Sequence, residues 1–185
     1  MMDGKYFEVT MSGLGGKGVL TLGKILAEAG VELFQHVSYF PNYSPAMRGG
    51  ESECTVIFSD NPIPSPLIFN PIHAVVMDPA SFTAFEMRLK PGGIIFCDDS
   101  VVSGKSERDD IEIFQVPASK KAVELGDLQV ANMVLLGAYA GKVESVPLGM
   151  LERALTKRFE GSRRESLLEL NRKAVREGNQ LARKM

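Results

Sequence analysis

The chain has 185 residues, 44% hydrophobic and 24% charged, with two cysteines, two histidines and a formal net charge of −2. That composition fills one substantial core and excludes a disordered chain, and no run reaches the roughly eighteen apolar residues of a membrane-spanning helix. Two thiols far apart in sequence, Cys54 and Cys97, exclude an iron–sulfur cluster or structural zinc site built from this chain alone, and the two solitary histidines, His36 and His73, argue against any metal site.

The opening MMDGKYFEV lacks the basic and apolar segments of a secretory signal, so one domain over residues 1–185, cytoplasmic and not membrane-bound, is expected. YFEVTM reads as a short strand. GKGVLTLGKILAEAG carries a helical stripe at Val19, Leu22, Ile25, Leu26 and Ala29 that ends at Gly30, which completes a strand-turn-helix unit. FQHVSYF is the next strand, and Pro41 and Pro45 mark a loop running to RGG. ESECTVIFS is a partly buried strand closed by the turn chemistry of SDNPIPSP.

HAVVMD and IIFCDD read as buried strands around a helix, PASFTAFEMRL, with proline in its first turn. IEIFQVP adds a strand and ASKKAVELG a short helix. QVANMVLLGAYAGK is so apolar that most of its circumference must be covered, and two amphipathic helices follow, the last with Leu167, Leu170, Ala174, Val175, Gly178 and Leu181 on one face. The alternation predicts an α/β fold: Rossmann-like, with a mostly parallel sheet flanked by helices and the C-terminal helices packed on it.

Charge is uneven: from Arg153 onward the chain carries +6, and the first 152 residues −8. With no aromatic residues interleaved for stacking on bases, this tail reads as a solvated helix face, and no nucleic-acid partner is expected.

The densest motif is MSGLGGKGVL. Gly13, Gly15 and Gly18 fit G-x-G-x-x-G between strand and helix, where free N–H groups and the helix dipole attract an anion and absent side chains admit it. A dinucleotide site also needs an acid near the end of the second strand, and that region reads Ser38–Tyr39–Phe40–Pro41–Asn42. Lys17 is followed by Gly18, not Ser or Thr, so the loop is no Walker A motif. Valine, threonine and methionine stand where a methyltransferase carries its acid. The loop is therefore either a tight turn that binds nothing or an anion or partner contact.

The second motif is PNYSPAMRGGESECTVIFSDNPIPSP. Arg48 offers a planar five-donor fork beside the bare backbone of Gly49 and Gly50, and Tyr43 adds a hydroxyl. Doubly wound topology would bring this loop to the sheet edge that carries the glycine loop. Arg48 then grips a ligand anion, or clamps a neighbouring carboxylate or carbonyl.

In chain order, GLGGKG, YSPAMRGGESECTVIFSDNPIPSP, LKPGGIIFCDDS, KKAVELGDLQVANMVLLGA and NRKAVREG resemble the gamma subunit, or gamma domain, of the 2-oxoacid:ferredoxin oxidoreductases. The arginine motif is most similar to the 2-oxoglutarate and branched-chain (ketoisovalerate) 2-oxoacid enzymes. The resemblance implies a complex that decarboxylates a 2-oxoacid oxidatively with coenzyme A, giving acyl-CoA, CO2 and reduced ferredoxin.

It also implies thiamine diphosphate with Mg held by alpha and beta subunits, iron–sulfur clusters in other chains, a ferredoxin-like delta subunit, and ferredoxin as acceptor. The sequence agrees with that division of labour, since it lacks a cluster-forming cysteine set and the Gly-Asp-Gly with downstream Asn of thiamine sites. No catalytic and no metal-ligating residue is expected here. Gly13, Gly15, Gly16, Gly18, Tyr43, Arg48, Gly49 and Gly50 are the candidate contacts to an anion, coenzyme A or a subunit.

Lys17 stands where the family usually carries glutamine, a cation at a helix mouth that needs something negative nearby. Asn132, in an apolar helix, is expected to cap a loop with its amide. The beta subunit of indolepyruvate ferredoxin oxidoreductase, which contains a similar domain, and a free-standing nucleotide-binding module are the alternatives.

Overall fold

The computed structural model describes residues 4–43, 50–101 and 106–185. Six strands form one sheet: β1 (Tyr6–Leu14), β2 (His36–Tyr43), β3 (Glu51–Ser59), β4 (His73–Val76), β5 (Ile94–Asp98) and β6 (Glu112–Val116), in the order β2-β3-β1-β4-β5-β6. Only β3 runs against the rest. It pairs antiparallel with both β1 and β2, while β1, β4, β5 and β6 are parallel neighbours.

Six helices cover the sheet unequally: α1 (Val19–Gly30), α2 (Pro79–Arg88), α3 (Ala118–Leu125), α4 (Ala131–Val143), α5 (Leu148–Phe159) and α6 (Leu168–Lys184). Five of them share the main core with Val9 and Met11 of β1, Cys54, Val56 and Phe58 of β3, and Phe96 of β5. The sixth, α2, covers the opposite face alone, packing Phe82, Phe85 and Leu89 on Ala74, Val76, Ile95 and Cys97. The alternation along β4 and β5 thus feeds two cores, which is why both strands read as unbroken apolar runs.

Two expectations shift. Pro41 does not end β2; the strand continues to Tyr43, because β2 is an edge strand and an edge has one side that needs no N–H donor. The inward face of α6 is also rotated from the leucine stripe. Asn171, Ala174, Val175, Gly178, Asn179 and Ala182 are buried, with Leu167, Leu170 and Leu181 at its margins. The cause is close approach to α4: a Cβ on Gly178 would lie 1.9 Å from the Val134 carbonyl, and one on Gly137 2.0 Å from that of Val175.

Among the described residues no helix is long and apolar enough to cross a membrane. Four tail cations engage carboxylates, as Arg153–Glu32, Arg172–Glu169, Arg176–Glu152 and Arg183–Glu144, which neutralises part of the basic C-terminal surface.

Candidate functional site

The C-terminal ends of β1, β4 and β5 form one rim of the sheet. At β4 the rim is closed internally. Asp78 is the N-cap of α2, and its carboxylate accepts from the Ser81 N–H at 3.0 Å, the Ser81 hydroxyl at 2.8 Å and the Leu14 N–H at 3.0 Å. Ser81 in turn meets the Ser12 hydroxyl at 3.0 Å. A charge with three donors is well satisfied when buried, so Asp78 pins the end of β1 beside α2 and leaves no opening between β1 and β4.

At β5 the rim is closed in the same way. Burial pushes the Asp98 carboxyl up, but hydrogen bonds from Ser119 and Ser100 outweigh it and hold the group below the usual carboxylate range. The Ser119 N–H lies 2.6 Å from Asp98, so the N-terminus of α3 already has its anion.

The glycine loop is left open. Gly13 sits inside β1 rather than in the turn, facing Met77 and Val19. The Gly15 N–H donates to the Gly50 carbonyl at 2.9 Å, and the Lys17 N–H to the Leu14 carbonyl at 3.2 Å. Gly16 (φ 93°) and Gly18 (φ 80°) take the left-handed conformation that glycine allows, and Gly18 caps α1 with no side-chain bond to the helix. The first turn of α1 contains no acid. Of the four glycines expected to offer donors, Gly16 is open to solvent and Gly18 sits half-buried at the mouth of α1, while Gly13 lies within β1 and the Gly15 N–H is spent on Gly50.

The glycine loop does meet Gly50, the last residue before β3, through the Gly15 N–H. The reason is not doubly wound topology. Antiparallel β3 starts where β1 ends, with Leu14 opposite Glu51, so Gly50, just before β3, is delivered to the glycine loop. Arg48 and Gly49 lie outside the described residues. Tyr43 closes β2, and its side chain is likewise not described.

Beside the loop is a cleft of about 400 Å³. Gly16, Lys17, Gly18 and Thr21 form one wall. The other comes from distant segments: Ser119 at the start of α3, the turn Leu128–Val130, Ala131–Met133 at the start of α4, Phe159 at the end of α5, then Arg164 and Leu167. Two helix N-termini, Lys17 and Arg164 give it a positive bias. Its one acid, Asp127, accepts from the Gln129 N–H at 2.8 Å. Leu128, Phe159 and Leu167 supply an apolar surface. The arrangement can hold an anion with an apolar or planar extension.

Asn132 does what its place in an apolar helix demands, donating from Nδ2 to the Lys17 carbonyl at 3.2 Å and so fixing the loop. Gly18 is obligatory at this contact, since a Cβ there would stand 2.4 Å from Nδ2. Arg164, Phe159 and Ser119 carry no local motif, and nothing in the sequence pairs them with residues 16–21.

The two thiols lie in different cores, Cys54 with α1 and Cys97 with α2, so they cannot share a metal cluster. Burial pushes both up to about 12, which keeps them protonated and inert at neutral pH.

The sequence pattern of the pyruvate ferredoxin/flavodoxin oxidoreductase family matches residues 8–181. Ketoisovalerate oxidoreductase subunit VorA of Methanothermobacter marburgensis is 31% identical over 95% of this chain, and the chain spans 36% of that relative's length. The 2-oxoglutarate synthase subunit KorC of Methanocaldococcus jannaschii is 31% identical over 80% of this chain and 81% of its own. Among solved structures, the gamma subunit of keto/oxoacid ferredoxin oxidoreductase from Geobacter sulfurreducens PCA shares the fold with a TM-score of 0.80 at 27% identity, covering 96% of this chain and 97% of its own.

Proposed function

Because the chain belongs to the pyruvate ferredoxin/flavodoxin oxidoreductase family, we propose that it is the gamma subunit of a cytoplasmic 2-oxoacid:ferredoxin oxidoreductase. The assembled enzyme oxidatively decarboxylates a 2-oxoacid with coenzyme A, to acyl-CoA, CO2 and reduced ferredoxin. A family match over residues 8–181 carries this reading. The relatives' names favour a branched-chain 2-oxoacid or 2-oxoglutarate as substrate.

Thiamine diphosphate with Mg, held by alpha and beta subunits, supplies the carbanion chemistry, and iron–sulfur clusters in other chains, including a ferredoxin-like delta subunit, carry the electrons. The residues present here fit neither group. The thiols occupy separate cores, and among the described residues no three of His, Cys, Asp and Glu converge. What the chain contributes is scaffold, subunit contacts and an electropositive cleft. Gly16, Gly18 and Lys17 face a phosphate of coenzyme A from one wall and Arg164 from the other, beside the contact between Gly15 and Gly50.

Subunit contact is supported by the face that α2 covers. Phe69 and Met87 are each 76% exposed and Leu67 66%, and the Arg88 guanidinium lies 4.9 Å from the Phe69 ring and 4.6 Å from that of Phe85. Exposed large apolar side chains such as these are what a covering chain would bury. The test is affinity purification of the tagged chain from its native cells. Co-purification of thiamine- and iron–sulfur-containing subunits is expected; a chain recovered alone, in nucleotide-bound monomeric form, would overturn the subunit assignment in favour of a free-standing module.

A further inference from the structure

β2 is one end of the sheet, and among the described residues no strand pairs with its outer side. It is long for such a place, eight residues from His36 to Tyr43, and the chain carries no Asp, Glu, Lys or Arg from Leu33 to Met47. Edge strands are ordinarily kept from pairing by short length, charge or proline. The opposite edge has the first two: β6 covers only Glu112–Val116, and the Lys142 ammonium holds Glu112 at 2.9 Å. β2 has Pro41 alone. That proline also tells which backbone groups are free. It stands in unbroken register with β3, opposite Cys54, yet has no N–H to give, so its nitrogen faces the outer side. Backbone groups alternate in direction along an antiparallel strand, so Val37 and Tyr39 turn their N–H and C=O outward as well. Both side chains pack on the main core, and the Tyr39 hydroxyl donates to the Leu20 carbonyl at 3.0 Å, which fixes the edge before anything pairs with it. An open groove of about 590 Å³ lies against residues 35–39, with Ile63 and Pro66 also lining it. The free space is thus at the half of the strand away from Pro41.

We propose that this edge docks a second copy of the same chain, joined antiparallel about a two-fold axis that passes Ser38. Val37 of each copy then stands opposite Tyr39 of the other, and each pair exchanges two N–H to C=O bonds, so every outward group at these two positions is satisfied at once. Ser38 meets Ser38 of the second copy, and His36 meets Phe40, a ring pair of the kind that supports a cross-strand contact. Pro41 falls opposite Gln35, where it can supply a carbonyl but no N–H, and the ladder ends there. The edge is therefore self-complementary: donors and acceptors are balanced on either side of Ser38, as an isologous interface requires. Charge points to the same occupant, because a strand without a charged residue meets no like charge in its own image. A copy also stops its ladder at the same proline by symmetry, which an unrelated strand does not.

Sedimentation equilibrium of the full chain tests this. The wild-type chain is expected to dimerise reversibly. Ser38→Glu sets two carboxylates face to face at the axis, at a half-buried position where circular dichroism can verify that the fold is kept, and should weaken the dimer about tenfold or more. Register is read by cross-linking. At the axis the two Ser38 Cα atoms stand about 4.5 Å apart, a separation that a disulfide spans, so Ser38→Cys should oxidise to a covalent dimer. Asn42→Cys, exposed on the same face of the strand, lies far from its own image and should not, and the native thiols Cys54 and Cys97 are buried and give no background. A monomeric wild-type chain overturns the proposal. So does a dimer that Ser38→Glu leaves unchanged, or one in which Asn42→Cys cross-links as readily as Ser38→Cys, since either result places the contact elsewhere on the chain.

Discussion

Some of the polar side chains buried in this molecule are held by a definable partner set. Glu8, 1% exposed, accepts from the Tyr6 hydroxyl at 2.7 Å, the Ile72 N–H at 3.1 Å and the Lys90 ammonium at 2.6 Å. It ties β1 to the segment before β4 and to the turn before β5. His73 donates from Nδ1 to the Glu8 carbonyl at 3.1 Å and meets the Tyr139 ring edge-on at 5.9 Å. Burial lowers the pKa of His73, and the Glu8 contacts only partly oppose it. The unfolded chain therefore takes up its proton first, near the ordinary histidine value of about 6.5, and stability must fall as pH drops below that point. Urea denaturation between pH 7.5 and 5.5 should show a loss of stability toward acid that is reduced in His73→Gln. An identical slope in both proteins would assign the acid sensitivity to other groups. At this scale the sequence was readable for the turn at Gly16 and Gly18 and for the loop-capping amide of Asn132, because each has a local signature, but not for Gly13, which lies inside β1. It was silent on Arg164, Phe159 and Ser119, which reach the cleft only through tertiary packing from more than 95 positions away.

The elements were largely legible, because apolar periodicity and turn chemistry are local signals, and all six strands and six helices correspond to segments that carry them. What was not legible were features set by neighbours. β2 continues through Pro41 because it lies at an edge, and α6 buries glycine, alanine and asparagine because α4 approaches its backbone directly. That contact gives a sharp expectation. Gly178→Ala places a methyl group 1.9 Å from the Val134 carbonyl, against backbone that cannot rotate away. A cost of about 3 kcal/mol follows from forced separation of two packed helices. Chemical denaturation measures it. A change under about 1 kcal/mol would mean that α6 slides freely on α4, contrary to interlocked backbones.

Across the whole molecule, the direction of one strand decides where function can lie. Antiparallel β3 inserts between β1 and β2, brings Gly50 to the glycine loop, and separates this sheet from a doubly wound dinucleotide fold. The openings after β4 and β5 are filled by the chain's own carboxylates, Asp78 and Asp98, whereas the mouth of α1 has no side-chain cap and no acid in its first turn, which is why the proposed anion is placed there. Sequence pattern could place the glycines at a helix mouth, but only the tertiary arrangement of α3, α4 and α5 turns that mouth into a cleft. The most direct measurement is amide NMR of the nitrogen-15-labelled full chain titrated with coenzyme A. The resonances of Gly16, Lys17, Gly18 and the Asn132 side-chain amide should shift together and saturate at one affinity. Unmoved resonances at those four residues, with or without shifts elsewhere on the chain, would contradict the cleft as the place where this subunit meets its anion.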